Sequence, residues 1–421
     1  MSTIQSLPFA RPARLLDFAG SGRAHPLLQI SRASIGTCYG PDGLLRRVPA
    51  NVPRIDYDPE TGECLGYLIE ESDTNLLLQS EDFTQAAWVK NRASIAAKAT
   101  LGPDGVSMAD AIVSDTQLAV EHYVAQANVV PSFAAGDKFF LSAFVKAGAK
   151  TKFALRFRRT LNPAIYITGF FDLITGATNV TGAGGGATLT MTRKVLPNGW
   201  HWCSIEYVAG ATDGADSLSV YAYPVDAMNT ANYDGTGQAD IYLFGMQCTK
   251  RQYPSSYIPT TTAAATRAAE LPYMSAASLG FNGSRGALIV ESRFSQRYRA
   301  SAPIFAGPST TLQSANCVVA YGSSANGSEL GLASAYIKKD DVTHLGAMFG
   351  AAPRGTWNKH GIAMDSGTFM AAFNGAVSAV TQGELPVINF FGLGYQFTGH
   401  IRRVAFYAVP LTAAELGRLT A

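Results

Sequence analysis

The sequence predicts an all-β protein in which two β-sandwich (jelly-roll) domains follow an extended, turn-rich N-terminal segment. Only 15% of the 421 residues are Asp, Glu, Lys or Arg, whereas Gly (41) and Pro (20) are abundant. This composition argues against charge-driven disorder and is typical of loop-rich β proteins. Short runs of aromatic and β-branched residues recur along the chain without a helical period. The length suffices for two or three domains.

Residues 1–80 are rich in turns. The stretches 20–22 (GSG) and 41–43 (PDG) are turn sequences, and residues 58–62 (DPETG) separate two short extended runs. Because Pro fixes φ and Gly adopts positive φ, the order in 58–62 predicts a hairpin. The segment has little core of its own. We therefore expect an extended anchoring segment that packs on a neighbouring domain or on another chain.

Residues 81–261 contain the predicted strands of the first sandwich, a jelly-roll domain. In residues 218–223 (LSVYAY), Leu, Val and Ala alternate with Ser, Tyr and Tyr, as expected of a strand with one buried face. Repeated strands without an intervening helix predict a sandwich. The predicted strands are 139–145, 152–157, 164–171, 188–193, 202–208, 218–223 and 241–246.

Residues 262–279 interrupt this pattern with small residues and one Pro. They predict a linker, with room for one helical turn over 263–270. The second sandwich follows at 280–421, where Asn374-Gly375 lies between two apolar runs and predicts a type I′ hairpin turn. The predicted strands of this block are 287–294, 317–321, 333–338, 343–348, 361–364, 369–373 and 400–407.

A short helix is predicted at the C-terminus. Thr412 and Glu415 have the spacing of a capping box, in which each side chain bonds the backbone N–H of the other residue. Leu411 precedes the cap and is placed to contact Leu416. We expect this helix to fold back on the second sandwich.

Charge and cysteine content exclude several classes of partner. The formal net charge is +2, so no global field attracts nucleic acid or anionic lipid, although a local basic patch at Arg156, Arg158 and Arg159 stays open. The five cysteines are odd in number and lack a C-x-x-C pair, which argues against a disulfide scaffold and a zinc site and is consistent with a reducing cytoplasm. Neither a signal peptide nor a membrane-spanning run is evident.

Known catalytic motifs are absent or misplaced. Residues 182–187 (GAGGGA) fit a dinucleotide-binding pattern, but a strand-like run follows where that motif needs a helix. No Ser lies in G-x-S-x-G, and an extra Ala in residues 214–218 (GADSL) breaks the G-D-S-L pattern of another esterase class. The six histidines are isolated, which leaves only a site assembled from distant residues. We predict no catalytic residue, and hence no enzyme.

One polar stretch has the chemistry of a cation site. Residues 232–240 place several oxygen ligands, including Asp234 and Asp240, just before a predicted strand. Carboxylate and carbonyl oxygens suit Ca²⁺, so a structural calcium ion held by these two residues is one prediction. A polar turn without metal is the alternative. No other cofactor is expected.

Aromatic residues supply candidate ligand-binding positions. Exposed Trp and Tyr rings stack on sugar rings, although core packing competes for the same residues. We predict Trp88 and Trp357 as stacking surfaces, with Asn358 and His360 as hydrogen-bonding partners beside Trp357. The last three residues lie in a predicted inter-strand loop, where recognition residues concentrate. An ordinary connection is the alternative interpretation of that loop.

Several separated motifs resemble one group of proteins. Residues 53–90 contain a P-R-I-D-Y-D-P-x-T-G hairpin, L-I-E-E, T-N-L-L-x-x-S-E-D-F and then Trp88. Further along stand N-G-W-x-x-C (198–203), Y-P-S-S-Y-I-P-T-T (253–261) and T-R-A-A (266–269). In this order the motifs resemble tailed-bacteriophage virion proteins of the head-spike, tail-fibre and minor structural group. The resemblance covers about half of the chain.

This resemblance implies a fold and a function. It implies a central carbohydrate-binding-like jelly roll and, at 280–421, a concanavalin/laminin-G-like module. A spike or fibre subunit of the virion is then expected, made in the host cytoplasm, commonly a homotrimer, with other virion proteins and host surface polysaccharide as partners. One alternative is a capsid or tail decoration protein that binds no glycan. The other is a capsule depolymerase or esterase, but the run beginning at Glu291 lacks the second acid of the related glucanases.

Overall fold

The computed structural model describes residues 10–183, 186–210, 216–251, 253–296, 301–312, 315–323, 332–353 and 355–421. It confirms an all-β protein of sandwich sheets with a short C-terminal helix, since 54% of the chain is strand and 5% is helix. Residues 184–185 of the glycine-rich motif and 214–215 of the GADSL motif lie outside these ranges. Within them, no helix is long and apolar enough to cross a membrane.

The N-terminal segment forms short strands around one helical turn, α1 (Phe18–Ser21). The carboxylate of Asp17 caps this turn by accepting a hydrogen bond from the N–H of Gly20. The strands are β1 (Arg14–Asp17), β2 (Gln29–Ser31), β3 (Gly36–Tyr39), β4 (Leu45–Val48), β5 (Ile55–Tyr57), β6 (Cys64–Ile69) and β7 (Asp73–Asn75). The hairpin predicted at 58–62 joins β5 to β6, and its Gly62 has a φ of 72°.

The central sandwich consists of fourteen strands and a 3₁₀ turn, Pro197–Gly199. The strands are β8 (Val89–Asn91), β9 (Ala93–Leu101), β10 (Met108–Ser114), β11 (Val120–Glu121), β12 (Tyr123–Val130), β13 (Lys138–Ala147), β14 (Lys152–Arg159), β15 (Tyr166–Asp172), β16 (Thr178–Ala183), β17 (Thr188–Val195), β18 (Trp200–Val208), β19 (Leu218–Val225), β20 (Asn232–Tyr233) and β21 (Ala239–Lys250).

Two six-stranded antiparallel sheets form the layers of this sandwich. We call the sheet β17-β18-β13-β21-β10-β9 the inner sheet and the sheet β16-β15-β14-β19-β12-β8 the outer sheet. Alternate residues of both sheets, such as Leu141, Leu155 and Val220, meet in one apolar core. The opposite face of the inner sheet packs against Leu45 of β4 and against Tyr257. The second face of the outer sheet packs in part against Met228 and Ala231, and Tyr123 and Tyr221 on this face stay half-buried.

The C-terminal sandwich contains the remaining strands, with the turn α2 (Ala276–Leu279) and the helix α3 (Ala413–Thr420). The strands are β22 (Ala265–Arg267), β23 (Leu271–Ser275), β24 (Arg285–Gln296), β25 (Ser301–Gly307), β26 (Cys317–Ser323), β27 (Leu332–Lys339), β28 (Val342–Ala351), β29 (Trp357–Asp365), β30 (Thr368–Phe373), β31 (Ala376–Val377), β32 (Thr381–Gln382), β33 (Phe390–Tyr395) and β34 (Thr398–Tyr407).

The N-terminal segment supplies strands to both sheets of the C-terminal sandwich. The nine-stranded sheet has the order β31-β30-β29-β24-β34-β6-β5, with β1 on β34 and β32 on β30. The seven-stranded sheet begins with β2 in the order β2-β23-β33-β25-β26-β27-β28. Apolar residues of the segment, among them Leu16, Tyr67 and Ile69, lie in the shared core. Strands this short are stable only as members of a larger sheet.

Residues 262–279 are also part of the C-terminal fold, where the sequence predicts a linker. The predicted helical turn at 263–270 is replaced by β22, which pairs with β7, and β23 enters the seven-stranded sheet. A helical turn forms only at α2, where the hydroxyl of Ser275 accepts from the N–H of Ser278. The buried side chain of Met274 explains this outcome, because strand pairing places it in the sandwich core.

Two local predictions in the C-terminal sandwich are confirmed. Asn374 and Gly375 have φ values of 43° and 86° and connect β30 to β31. The capping box of α3 is formed by Thr412 and Glu415, whose side chains each bond the backbone of the other residue. Leu416 of α3 is buried against the nine-stranded sheet.

A buried group of charged residues ties the N-terminal segment to the C-terminal fold. Glu270 accepts from Arg32 Nη1 at 2.5 Å and from Arg54 Nη2 at 2.7 Å. Glu70 lies 2.8 Å from Arg54 Nη2 and 3.5 Å from Arg267 Nη2. All five side chains are at most 4% exposed. We call these five residues the joint cluster.

The pKa values in the joint cluster are set by its burial and by its excess of three Arg over two Glu residues. Burial disfavours ionised Glu70, but the charges of Arg267 and Arg54 and hydrogen bonds from Ser256 outweigh it and hold the pKa of Glu70 well below its usual range. Arg267 donates no hydrogen bond within the described residues. Burial lowers the pKa of Arg267, against the attraction of Glu70. The carboxylates are thus the groups that keep three buried cations together.

Candidate functional site

Trp88 is a core residue, which corrects its prediction as a stacking surface. Its side chain is 1% exposed and belongs to the apolar core of the central sandwich. The indole packs against Phe83 with 4.9 Å between ring centroids. Its Nε1–H donates to the carbonyl of Gln79 at 2.9 Å. No face of the ring is open to a sugar, and the core interpretation left open by the sequence is the one observed.

Trp357 begins β29 and is half-buried. The guanidinium carbon of Arg402 lies 3.9 Å from the centroid of its ring. Arg402 is itself held by Glu63 and Glu291, with N–O distances of 2.5 and 3.4 Å. A cation therefore covers one ring face. The predicted inter-strand loop is in fact strand from Trp357 onward.

Asn358 and His360 lie inside the C-terminal sandwich, which corrects their prediction as ligand-binding residues. They are 1% and 3% exposed. The Oδ1 atom of Asn358 accepts from Asn374 Nδ2 at 3.0 Å, so this side chain supports the β30–β31 turn. His360 lies between Phe294 and Phe373, at centroid distances of 6.2 and 4.9 Å. Both are structural residues.

The burial of His360 has a consequence for pH dependence. Burial lowers the pKa of His360 to about 3, from 6.5. The unfolded chain therefore binds a proton between these values that the folded chain does not bind, and stability falls as pH falls from about 6.5 towards 3. We expect the urea midpoint to drop between pH 7 and pH 5 less steeply in His360→Leu than in the unmodified protein. Equal slopes in the two proteins would show that His360 is not the titrating group.

Asp234 and Asp240 are engaged by protein donors. The carboxylate of buried Asp240 accepts from Tyr233 Oη at 2.7 Å and from Thr236 Oγ1 at 2.9 Å. Exposed Asp234 accepts from the N–H of Ala119 at 2.9 Å. Within the described residues, no group of three or more His, Cys, Asp or Glu side chains is placed to hold a metal ion. Hydroxyl and amide hydrogens thus face these carboxylates where Ca²⁺ would need free oxygens, and the calcium site stays a prediction.

The structure brings together a different set of aromatic and basic residues, on the outer sheet. In β14 and β19, Leu155, Phe157, Val220 and Ala222 point into the core. The residues between them point to the opposite face, as the period of a strand requires. We call this surface the Tyr–Arg face; its members are Tyr123, Arg156, Arg158, Tyr166, Tyr221 and Tyr223.

Arg156 is the fixed centre of the Tyr–Arg face. Its Nη1 donates to Glu121 Oε1 at 2.9 Å and to Tyr223 Oη at 2.8 Å, and its Nε donates to Thr168 Oγ1 at 2.7 Å. The guanidinium carbon also lies 4.5 Å from the ring centroid of Tyr166. Burial raises the pKa of Tyr223, so its hydroxyl keeps its proton. These contacts hold the surrounding rings in place.

The accessible part of the Tyr–Arg face surrounds Tyr221. Tyr123 and Tyr221 are half-buried, and their ring centroids are 5.1 Å apart at an angle of 76°. The guanidinium carbon of half-buried Arg158 lies 5.8 Å from the Tyr221 centroid. Arg158 Nε donates to the carbonyl of Pro163, and its terminal nitrogens bond no described residue. Ring faces and N–H donors that bond no described residue therefore lie side by side.

This arrangement suits recognition of a sugar. Aromatic rings present an apolar face, and guanidinium groups donate paired hydrogen bonds to hydroxyl or carboxylate oxygens. Because Arg156 and the neighbouring rings are already fixed, little side-chain entropy is lost on binding. In the part of the chain that the structure describes, no serine or cysteine side chain hydrogen-bonds a histidine.

The sequence contains a signal for part of this face. The alternation in 218–223 places Tyr221 and Tyr223 opposite the apolar residues of the same strand. Arg156 and Arg158 belong to the basic patch that the sequence predicts, in an earlier strand. What the sequence does not reveal is that β14 pairs with β19, which brings Arg156 beside Tyr221 in the register.

Comparisons with known proteins assign no family to the chain. No family model matches the chain, and no curated protein matches it. The carbohydrate-binding module CBM40 of the Ruminococcus gnavus IT-sialidase, bound to α2,3-sialyllactose, is a similar solved structure. It is 18% identical, with a TM-score of 0.30, over 35% of this chain and 87% of that one.

Two further solved structures show the range of this similarity. Domain 4 of a GH43 extracellular arabinanase from Geobacillus stearothermophilus, in complex with arabinotriose, is 12% identical over 41% of this chain and 84% of that one, with a TM-score of 0.30. Domains LG4–5 of the mouse laminin α1 chain are 8% identical over 86% of this chain and all of that one, with a TM-score of 0.22.

Proposed function

We propose that this protein is a glycan-binding subunit of a tailed-phage particle, a spike or fibre component that contacts polysaccharide on the host surface. The Tyr–Arg face is the observation that carries the glycan-binding part. The virion part is supported by the ordered motifs between residues 53 and 269 that resemble phage appendage proteins. On this proposal the protein is made in the host cytoplasm and acts in the virion.

The position of the Tyr–Arg face supports this role. The inner sheet of the central sandwich is covered by Leu45 of the N-terminal segment and by Tyr257. Met228 and Ala231 cover part of the second face of the outer sheet, and Tyr123, Tyr221 and Arg158 remain half-exposed to a partner there. The basic patch is also narrow, because Glu121 pairs with Arg156. It therefore fits a small polar ligand better than a long polyanion such as nucleic acid.

Weak single sites are sufficient for such a protein. In a homotrimer, three identical faces would bind one polysaccharide surface together. The second and third contacts then form within one complex, and the overall affinity rises by a factor of about 10² or more. Attachment by the whole particle therefore does not require tight binding by one Tyr–Arg face.

Adsorption to cells tests this proposal. We expect the purified protein to bind host cells that carry surface polysaccharide and not cells stripped of it, with Tyr221→Ala and Arg158→Ala each weakening adsorption about tenfold. Loss of one stacked ring or one guanidinium donor removes about 1–3 kcal/mol of binding. Arg14→Ala is a matched control, because Arg14 is exposed on β1 and its side chain bonds, among the described residues, only the neighbouring carbonyl of Ala13.

Three outcomes would contradict all or part of the proposal. Equal adsorption to stripped and intact cells, with stoichiometric incorporation into particles, would favour a decoration protein without glycan binding. Release of shortened or deacylated polysaccharide by the purified protein would favour a depolymerase or esterase. Unchanged adsorption in both variants of the Tyr–Arg face would place any glycan site elsewhere on the molecule.

A further inference from the structure

A crevice of about 250 Å³ lies where the three parts of the chain meet. It is separate from the Tyr–Arg face, because it opens beside the inner sheet. Each part contributes side chains to its wall. Those used below are Tyr39 and Asp56 of the N-terminal segment, Lys194 and Trp202 of the inner sheet, and Ser295 and His400 of the C-terminal sandwich.

One side of the crevice is aromatic. Tyr39 and Trp202 are both half-buried, so parts of both rings remain accessible. The exposed Lys194 reaches over them, with Nζ at 5.9 Å from the Tyr39 centroid and 5.7 Å from the Trp202 centroid. No described acid lies within 4 Å of this ammonium group. Together with backbone hydrogen bonds from Thr61 and Glu60, the positive charge of Lys194 lowers the pKa of Asp58.

The other side is polar and fixed. His400 Nε2 and Asp56 Oδ2 are 2.8 Å apart, and Asp56 Oδ1 accepts from the N–H of Tyr39 at 2.7 Å. The second ring nitrogen of His400 bonds no described residue. Ser295 sits at an irregularity in the pairing of β24 with β34, where an extra residue redirects the side chain. Ser295 is exposed, and its hydroxyl bonds no described residue.

We infer that this crevice binds one neutral sugar residue. One wall presents the ring faces of Tyr39 and Trp202. The other presents the second ring nitrogen of His400, the carboxylate of Asp56 and the hydroxyl of Ser295. These groups match the apolar face and the vicinal hydroxyls of a hexose. Lys194 would favour an acidic sugar, but Asp56, which lines the crevice, opposes a carboxylate there. The volume lies below the roughly 300–1,000 Å³ of sites for larger ligands, so a single ring is accommodated.

Occupation of this site bridges the three parts of the chain. A ligand that contacts Tyr39, Trp202 and His400 touches the N-terminal segment and both sandwiches at once. Since the unfolded chain offers no such arrangement, binding stabilises the folded state. The site would therefore couple sugar binding to the rigidity of the joint between the sandwiches, whether or not the Tyr–Arg face binds a glycan.

Ligand-observed NMR on the full chain tests this inference with glucose, galactose, mannose, N-acetylglucosamine and glucuronic acid. We expect saturable binding of at least one neutral sugar and at least tenfold weaker binding in Lys194→Met and Ser295→Ala. Both residues are exposed, so these variants should keep the unmodified melting temperature. Arg158→Ala, on the Tyr–Arg face, should bind the sugar as the unmodified protein does.

Four results of the NMR experiment would overturn the inference. Unchanged affinity in Lys194→Met and Ser295→Ala would place the sugar outside the crevice. Binding of glucuronic acid alone would contradict a site for neutral sugars, and no saturable binding of any probe would remove the site. If instead Arg158→Ala abolishes binding, the NMR signal reports on the Tyr–Arg face. Failure of cell adsorption with intact crevice binding would reject the proposed function and leave this inference standing.

Discussion

Glu270→Gln should lower the free energy of unfolding by about 3–5 kcal/mol, the usual effect of removing one partner from a buried ion pair. The Glu270 carboxylate bonds both Arg32 and Arg54, and none of the three side chains is exposed. Glutamine keeps the shape but removes the charge. Glu70 would then be the only carboxylate facing three buried guanidinium groups. Because the cluster joins the N-terminal segment to residue 270, its loss should loosen the segment from the C-terminal sandwich.

Urea unfolding followed by tryptophan fluorescence measures this effect. Glu384→Gln is the matched control, since Glu384 is exposed and pairs with Lys339 at the surface, and its unfolding midpoint should not move. A Glu270→Gln midpoint equal to that of the unmodified protein would show that the joint cluster contributes nothing to stability. If Glu270→Gln does not accumulate in folded form, Glu70→Gln is the second variant, with the same expected direction.

Local features of the fold follow from residues that are close in sequence. The Asn374-Gly375 turn needs positive φ at two adjacent positions, which these residues adopt with little strain. The capping box needs only Thr412 and Glu415 three residues apart. The alternation in residues 218–223 likewise reports on one strand. Each of these signals is complete within a few residues, so each was predictable without knowledge of the rest of the chain.

Pairing between distant strands was not predictable in this way. β6 pairs with β34, so that Tyr67 lies opposite Ile401, and β22 pairs with β7. The sequence of a short strand does not show which sheet edge the strand joins, since backbone hydrogen bonds are the same for every partner. The joint cluster depends on these pairings, because they bring Arg54 to Glu270. Residues 262–279 therefore resemble a linker in sequence although they complete a sheet.

At the candidate site, the direction and burial of single side chains were likewise not predictable from the sequence. Trp88 was predicted as a binding residue from its type, but residue type does not state which way a ring points. Asn358 and His360 were predicted in a loop, whereas β29 already includes them. Polar side chains inside a sandwich are rare enough that the sequence favours the surface. The Tyr–Arg face instead depends on the pairing of β14 with β19, which only the structure reveals.

Trp88→Ala should separate core packing from sugar stacking. Truncation of a fully buried Trp leaves a cavity and costs about 3–5 kcal/mol of stability. The hydrogen bond from its Nε1 to Gln79 is lost as well. We expect a large drop in the urea unfolding midpoint, whereas adsorption to polysaccharide-bearing cells, measured per folded molecule, should stay unchanged. Tyr221→Ala should behave in the opposite way, with weakened adsorption and a nearly unchanged midpoint.

Trp88→Phe keeps this prediction testable if the alanine variant does not fold. Phenylalanine fills most of the space beside Phe83 and removes only the indole nitrogen, so the protein should fold with a moderate loss of stability and adsorb normally. A Trp88→Phe protein that is stable but does not adsorb would assign Trp88 a direct role at the sugar. Because its ring is 1% exposed, that result would require the segment around residues 79–88 to open when glycan binds.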